Sequence, residues 1–204
     1  DVNSNIYLSG TTASAGTSTD ILALKYSPSG VVLWQAVFNG YSGNIDQANG
    51  SFLDNSGNFY ITGFTSDTND ILKVITLKYS SSGAMLWCKV FLPTGYNQGF
   101  GQAVIADNSS NVFTCGYIRR PNGSYTLLVL KYSSAGNLLD SARFNVSSSS
   151  SEVPVSICTD SGGNIFILAS TNAVSGSNDI LMLKYNNTPE LLWQNTFSGT
   201  AAGS

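Results

Sequence analysis

The sequence predicts an all-β protein assembled from four copies of one unit, because the same residues return every 53 positions without an insertion. An aspartate begins each copy, and an asparagine, a Lys-Tyr pair and a phenylalanine follow at fixed distances. Self-similarity at a constant period indicates a repeat architecture. The copies span residues 1–53, 54–106, 107–159 and 160–204, and the last is truncated. The aligned residues include Asp1, Asp54, Asp107 and Asp160; Asn5, Asn58, Asn111 and Asn164; Lys25, Lys78, Lys131 and Lys184; and Phe38, Phe91, Phe144 and Phe197.

The composition predicts the same fold class. Charged residues make up only 10% of the chain, whereas 42% of the residues are hydrophobic and 11% are aromatic, which excludes a disordered chain. Clusters rich in Gly and Ser interrupt the apolar runs at short intervals, and no stretch has a sustained helical period. Apolar, β-branched and aromatic residues between such turns are typical of strands. We therefore expect almost no helix.

Each copy contains four short segments with the pattern of strands. The turns between them, such as Asp54–Asn58 and Ser80–Gly83, have the Asx and Gly residues of tight hairpins. The predicted strands are residues 5–10, 21–26, 31–38 and 51–53, together with their translates by 53 residues.

This unit is typical of a blade in a β-propeller. Four antiparallel strands repeated near every 50 residues fit a propeller better than a solenoid, whose coils are shorter. A single four-stranded sheet has two faces to cover, and stacking blades around an axis buries both of them. Large residues on both sides of one strand, such as Ile6 and Leu8 against Tyr7, meet that requirement.

Two segments of the second copy carry the motifs of a known repeat. Asp54–Thr65 has the pattern D-x-x-G-N-x-Y-x-x-G-x-T, and Leu77–Phe91 has the pattern L-K-Y-x-x-x-G-x-x-L-W-x-x-x-F. They resemble the SBBP-type β-propeller repeat of bacteria and archaea, and the resemblance covers nearly the whole chain. It implies a propeller of large extracellular or cell-surface proteins, in which the short run just before each aspartate is the innermost strand of a blade. It transfers no functional residue, because that family has no shared activity. The departures from the pattern are Asp140 for Trp, Ala169 for Gly and Pro189 for the turn Gly.

The repeat boundaries predict open blade edges. If each blade begins with the strand before a repeated aspartate, the second, third and fourth blades have all four strands, whereas the first blade begins at its second strand. Four blades also lie at the lower limit for a closed ring. Two alternatives stay open: the chain is a piece of a larger propeller, or several chains assemble to close one. We expect the open edges to bind other protein chains, above all copies of this chain.

The residue inventory argues against an enzyme. The chain has no histidine, which excludes a Ser-His dyad and a His-ligated metal. A net charge of −3 without a basic stripe argues against nucleic acid as a partner, and no apolar run approaches the ~20 residues of a membrane span. We therefore expect no catalytic residue, no cofactor, no metal and no membrane insertion.

The repeated polar residues are expected to be structural. An active site occurs once in a chain, whereas Lys25 and its equivalents occur in every copy, so we expect them to bind main-chain carbonyls or a carboxylate between blades. The repeated aspartate is expected to anchor an Asx turn instead of a calcium ion, because each turn has only one carboxylate. Cys88, Cys115 and Cys158 are expected to be small buried hydrophobes, with one disulfide as the alternative.

Candidate binding residues lie in the loops that differ between copies. A rigid scaffold with variable loops on one face is a common way to present a binding surface, and solvated loops without a partner are the alternative. We expect a structural, adhesive or assembly role, with a carbohydrate-binding propeller that takes glycans as the alternative. The loop residues best suited to contact a ligand are Tyr41, Tyr96, Asn97, Arg119, Arg120 and Asn122.

Overall fold

A computed structural model of the protein describes residues 1–13, 18–40, 44–173 and 178–198. These residues form fifteen β-strands and no helix, so the all-β prediction is confirmed. The strands are β1 (Ile6–Thr12), β2 (Asp20–Tyr26), β3 (Val32–Phe38), β4 (Asp46–Leu53), β5 (Phe59–Ser66), β6 (Leu72–Tyr79), β7 (Met85–Phe91), β8 (Gln98–Ala106), β9 (Val112–Arg119), β10 (Tyr125–Tyr132), β11 (Leu138–Phe144), β12 (Glu152–Thr159), β13 (Ile165–Thr171), β14 (Asp179–Tyr185) and β15 (Leu191–Phe197).

The strands form four antiparallel sheets in chain order. The first described sheet is β1-β2-β3, the second β4-β5-β6-β7, the third β8 to β11 and the fourth β12 to β15. Sequential strands pair within each sheet, and each of the last three sheets begins with the strand before a repeated aspartate. Constant hairpin turns set this order, since Gly57, Gly83 and Gly136 take positive φ angles of about 79–87° that favour glycine.

The innermost strands are longer than predicted. The fourth segment of the first copy was expected at residues 51–53, but β4 begins at Asp46, and β8 and β12 begin equally early. The extra residues of β4 are polar and small, and the strand has a bulge between Ala48 and Gly50. Their pattern therefore resembles a loop, although they pair along the whole edge of β5.

A close backbone approach explains the glycine opposite that bulge. An added Cβ atom at Gly63 would lie 1.8 Å from the carbonyl oxygen of Gln47, so a side chain does not fit there without movement of the strands. Gly116 occupies the same place in the third sheet, where a Cβ atom would lie 2.1 Å from the oxygen of Phe100. The two inner strands thus lie tightly against their neighbours.

Successive sheets pack face to face, and one face of each sheet contacts the opposite face of the next. We call the side that bears Tyr7 and Lys25 the front face, and the opposite side, which bears Ile6 and Tyr26, the back face; equivalent residues define these faces in later sheets. Each front face packs against the back face of the next sheet. Three apolar clusters result, centred on Ile21, Ala23, Phe59, Ile61 and Leu77; on Tyr60, Val74, Leu128, Leu130 and Tyr132; and on Phe113, Cys115, Leu127, Ile167 and Leu183.

The innermost strands β4, β8 and β12 line a common trough. Its volume is about 580 Å³, and residues of all three strands form its wall, among them Ser51, Gln102 and Val155. Asn49 donates a hydrogen bond from its Nδ2 to the carbonyl oxygen of Gly101 at 2.9 Å, which joins β4 to β8. The second, third and fourth sheets therefore share one side on which their first strands meet.

The cysteines do not all follow the sequence prediction. All three are free thiols: Cys115 is buried, Cys88 is half-buried and Cys158 is exposed. The prediction of a buried residue is therefore confirmed for Cys115 and wrong for Cys158. Cys158 lies on β12, where it lines the common trough and has no neighbouring sheet packed over it.

Candidate functional site

Each repeated aspartate closes the turn that leads from the innermost strand to the next one. Asp54 accepts hydrogen bonds from the backbone N of Ser56 at 2.9 Å and of Asn58 at 2.8 Å, and also from the side chains of Asn58 and Tyr60. Burial raises the pKa of Asp54, but hydrogen bonds from Asn58 and Tyr60 outweigh it and hold that pKa below its usual value. The predicted Asx turn is confirmed. Equivalent bonds to Asn occur at Asp1, Asp107 and Asp160.

The repeated lysine ties each sheet to the next. Lys25 donates from Nζ to the carbonyl oxygen of Ser81 at 3.3 Å and also pairs with Asp1 at 3.2 Å. In the next two interfaces the same contact joins Lys78 to Ser134 and Lys131 to Asn187, at 3.2 and 2.7 Å. Each acceptor lies in the hairpin turn of the following sheet. The predicted role of the lysine between sheets is confirmed.

The tryptophans of the first and second sheets each cover the hairpin turn of the following sheet. Trp34 donates from Nε1 to the carbonyl oxygen of Ser81, and Trp87 donates to that of Ser134, both at 3.1 Å. The indole ring lies over the turn glycine, because a Cβ atom at Gly83 would stand 2.8 Å from Cδ2 of Trp34. A tryptophan in one sheet thus requires a residue without a side chain in the turn of the next.

The interface between the third and fourth sheets lacks both the tryptophan and the turn glycine. Its front face has Asp140 where the others have tryptophan, and the turn facing it has Pro189 where the others have glycine. Without an indole ring above the turn, a side chain at that position meets no such obstacle. The two departures from the repeat pattern are therefore one structural change, seen from its two sides.

The loop residues predicted to bind a ligand fall into two groups. Tyr96 and Asn97 line an open groove of about 760 Å³, together with Lys73, Pro93 and Leu92. The backbone N of Asn97 donates to the carbonyl oxygen of Arg119 at 2.9 Å, so the exposed Arg119 lies beside this groove. Tyr96 also lies 5.9 Å from the guanidinium of Arg143. Tyr96, Asn97 and Arg119 are therefore neighbours at this groove.

Arg120 and Asn122 belong to a different structure. The Arg120 guanidinium donates to the carbonyl oxygens of Ser148 at 2.7 Å, of Tyr125 at 3.2 Å and of Ser150. Asn122 donates to Ser148 as well, at 3.3 Å. Both side chains hold the loop between β11 and β12 against the third sheet. Tyr41 lies outside the described residues.

A pair of buried carboxylates lies at the loop side of the first two sheets. Asp20 and Asp46 are both 1% exposed, and the Gly40 backbone N donates to Asp46 at 2.8 Å. Burial raises the pKa of Asp46, and the charge of Asp20 adds to the rise, against hydrogen bonds from Gly40 and Thr65. The pair fastens the start of β4 and offers solvent almost no access. Within the described part of the chain, no group of three or more metal-ligating side chains occurs.

Two outer sheet faces remain open, and the sequence prediction did not specify their residues. On the back face of the first sheet Leu8 is 49% exposed, whereas its equivalent Ile61 is 0% exposed. On the front face of the fourth sheet Met182 is 43% exposed, whereas its equivalent Val129 is 0% exposed. The alternation of side chains along each repeated strand is the signal that identifies both faces. The exposed apolar members are Ile6, Leu8, Leu168, Ile180, Met182, Trp193 and Phe197.

Most of the aligned large aromatic residues lie between sheets, but those of the last copy do not. Trp34, Phe38, Trp87, Phe91 and Phe144 pack against the three apolar clusters. Trp193 is 41% and Phe197 68% exposed, because the front face of the fourth sheet has no sheet against it. No helix of the length and hydropathy of a membrane span occurs in the described residues.

Comparison by sequence finds no match: no protein-family model fits the chain, and no curated protein is significantly similar. Comparison by structure finds similar folds. A protein of unknown function from Dyadobacter fermentans superposes with a TM-score of 0.59 at 8% identity, over 95% of this chain and 66% of that one. At this identity the likeness shows the fold alone.

Two further solved structures are more distant. A eukaryotic initiation factor has a TM-score of 0.47 at 11% identity over 93% of this chain and 43% of its own. The GH43 endo-arabinanase from Bacillus licheniformis has a TM-score of 0.46 at 11% identity over 94% of this chain and 73% of its own. At these TM-scores neither likeness carries an argument about this protein. The finding that stands is a shared fold of successive antiparallel sheets, with the chain spanning 66% of the Dyadobacter protein.

Proposed function

We propose that the chain is a non-enzymatic β-propeller module with a structural or assembly role in an extracellular or cell-surface protein. The observation that carries the proposal is the use of the repeated polar side chains. Aspartate, asparagine and lysine recur in every copy, and in the first three copies each lysine makes the same contact with the next sheet. Groups engaged in the scaffold of every sheet are unsuited to a single catalytic site.

The propeller arrangement is supported by the trough. Blades of a propeller place their first strands around a central axis, and here β4, β8 and β12 line one depression. The sheets pack through repeated front-to-back contacts, as blades do. The resemblance of the repeat to the SBBP-type family supports the same architecture, and it supports a location outside the cell.

Protease treatment of intact cells tests the location and role. An antibody against this segment should detect it on intact cells of the source organism, and external protease should remove the signal without lysis. Deletion of residues 1–204 from the gene should impair surface assembly or adhesion without loss of a hydrolytic activity. A protected signal on intact cells contradicts the surface location, and turnover of a chromogenic glycoside or ester by the purified chain contradicts the non-enzymatic role.

A carbohydrate-binding role is the second candidate, and the groove at Tyr96 favours it. An aromatic ring next to the amide of Asn97 and the ammonium of Lys73 combines a stacking surface with hydrogen-bond donors. A glycan array tests this reading, with Tyr96→Ala as the variant and Leu86→Ala, at an exposed residue outside the groove, as the control. Binding that Tyr96→Ala abolishes and the control retains supports it, whereas an array without a signal contradicts it.

A further inference from the structure

The open front face of the fourth sheet repeats the front faces that are already covered. Lys184 lies over the ring of Phe166 with Nζ 5.0 Å from the centroid, just as Lys78 lies over Tyr60 at 5.2 Å. Trp193 lies in the column of Trp34 and Trp87, each of which donates to a turn carbonyl of the next sheet. This face therefore carries the donors and apolar residues that bind a back face elsewhere in the chain.

The open back face of the first sheet repeats the back faces that are covered in later sheets. Ile6, Leu8, Leu22, Leu24 and Tyr26 lie in the columns of Phe59, Ile61, Ile75, Leu77 and Tyr79, which are all at most 2% exposed. All five residues are aliphatic or aromatic. The back face of the first sheet is therefore as apolar as the back face of the second sheet, which packs against a front face.

The turn of the first sheet completes the match. Gly30 takes φ +81°, as the equivalent Gly83 and Gly136 take +87° and +80°, and an added Cβ atom at Gly30 would meet nothing within 4 Å. At Gly83 and Gly136 the corresponding space holds an indole ring. Pro28 stands in the column of Ser81 and Ser134, whose carbonyl oxygens accept from lysine and tryptophan. Proline keeps this acceptor, because only its N–H is lost.

The Asp140–Pro189 interface shows that tryptophan on a front face and glycine in the facing turn are present or absent together. Where the front face lacks tryptophan, the facing turn lacks glycine. The fourth front face has Trp193 and therefore requires a turn with glycine. The first sheet supplies one that is free of any ring. Tryptophan and turn glycine are thus paired for a fourth contact that the described residues of one chain leave unmade.

We propose that the front face of the fourth sheet binds the back face of the first sheet in a second copy of this chain, head to tail. Trp193 then covers Gly30 of the partner copy, and Lys184 Nζ and Trp193 Nε1 donate to the carbonyl oxygen of its Pro28. This interface is heterologous, so repetition closes a ring or extends a filament. The inference rests on the proposed assembly role and adds the partner, the two surfaces and their register.

Two complementary variants test the interface. Met182→Asp places a carboxylate on the front face and Leu8→Asp places one on the back face, at residues that are 43% and 49% exposed in the single chain. Leu86→Asp is the matched control, because Leu86 is 51% exposed on the second sheet, whose two faces are already covered. Sedimentation velocity at about 20 µM gives the oligomeric state, and circular dichroism checks the fold of each variant.

Wild-type chain and Leu86→Asp are expected to sediment as dimers or larger species, and each single variant as a monomer. An equimolar mixture of Met182→Asp and Leu8→Asp is expected to form a one-to-one dimer and nothing larger, since each variant keeps the face that the other lacks. Trp193→Asp should raise the dissociation constant more than about tenfold, because it removes both ring and donor. Ile180→Asp and Ile6→Asp serve as a second pair if the first pair fails to fold.

A monomeric wild-type chain overturns the inference and indicates that another sheet of a longer polypeptide occupies these faces. A mixture that stays monomeric, or single variants that keep the wild-type assembly, also overturns it. None of these results depends on where the protein resides in the cell. Failure of the interface and failure of the proposed surface role are therefore distinguishable.

Discussion

Trp34 stacks on Tyr79 of the following sheet, with ring centroids 6.4 Å apart and ring planes 27° apart. Trp87 approaches Tyr132 in the next interface with a centroid distance of 6.0 Å. Both tyrosines are 2% exposed, and each tryptophan also donates to the turn beside its partner. This aromatic pair and its hydrogen bond form the recurring contact between sheets, and the first prediction concerns its strength.

Trp87→Phe is expected to lower the free energy of unfolding by about 1 kcal/mol, because it removes the Nε1 donor to Ser134 and keeps most of the ring. Trp87→Ala should cost about 3 kcal/mol, since the contact with Tyr60 and Tyr132 is lost as well. Urea denaturation followed by circular dichroism measures both. Leu86→Ala, on the neighbouring exposed residue, is the control and should stay within about 0.5 kcal/mol of wild type. Equal midpoints for Trp87→Ala and wild type would contradict the packing.

Gly63→Ala and Gly10→Ala form a second, matched comparison. Both glycines occupy one column of the repeat, but a Cβ atom at Gly63 would lie 1.8 Å from the oxygen of Gln47, whereas at Gly10 nothing lies within 4 Å. We expect Gly63→Ala to cost about 1–3 kcal/mol and Gly10→Ala to be neutral or slightly stabilising. Thermal melts of the two variants decide the matter. A smaller loss for Gly63→Ala than for Gly10→Ala would show that the inner strands do not approach as closely as described.

Stability is expected to fall at alkaline pH because buried tyrosines must stay neutral in the fold. Burial raises the pKa of Tyr79 to about 12 from the ordinary 10, with a smaller contribution from Cys88, and burial also raises the pKa of Tyr132 and Tyr185. Because the pKa of Tyr79 is higher in the folded than in the unfolded chain, the neutral tyrosine stabilises the fold fully below pH 10, the ordinary pKa. This stability is lost as the pH rises through 12, on the order of 2 kcal/mol for Tyr79.

Urea midpoints measured near pH 7 and near pH 11.5 check this dependence. Tyr79→Phe has no hydroxyl to ionise in either state, so its midpoint should decline less than that of wild type over the same interval. An equal decline in the two proteins would show that the Tyr79 hydroxyl is not a source of the alkaline sensitivity.

The thiols are expected to differ in reactivity. Burial raises the pKa of Cys115 to about 12 and that of Cys88 to about 11, which leaves both as protonated thiols at neutral pH. Cys158 is exposed on β12. In the Met182→Asp chain, whose front face stays open, a thiol reagent should therefore modify one cysteine in the native state and all three in denaturant. Cys158→Ser should abolish the native reaction, and Cys115→Ser should leave it unchanged; rapid modification of Cys115 would contradict its burial.

Much of the fold could be predicted from the sequence, because the same pattern of strand and turn residues occurs in four copies. Residues of the outer three strands alternate clearly, so β1 to β3 and their equivalents were predicted to within one or two residues at most of their ends. The early part of β4 was missed because its polar and small residues serve a bulge and a tight backbone contact instead of a core. No local pattern distinguishes such a strand from a loop.

The candidate site was less predictable than the fold. Arg120 and Asn122 had the composition of a binding loop, but their side chains are occupied by carbonyl groups of the loop at residues 147–150. Their partners in this loop lie 26 to 30 positions away, and nothing in the sequence indicates that separation. The pairing of Asp140 with Pro189 was present in the sequence as two departures, yet only the position of the indole over the turn glycine explains why they belong together.

The acceptors in the repeated turns are main-chain oxygens, and this has a consequence for the gene. The acceptor residue is serine at positions 81 and 134 and asparagine at position 187, yet in each case the carbonyl oxygen receives the repeated lysine. A contact that ignores side-chain identity stays intact when a copy is duplicated, moved or allowed to diverge. Insertion of 53 further codons in register between the first and second sheets would add a sheet that fits both its neighbours. The number of sheets in such a protein can change through unequal recombination, because the added sheet uses the existing type of interface.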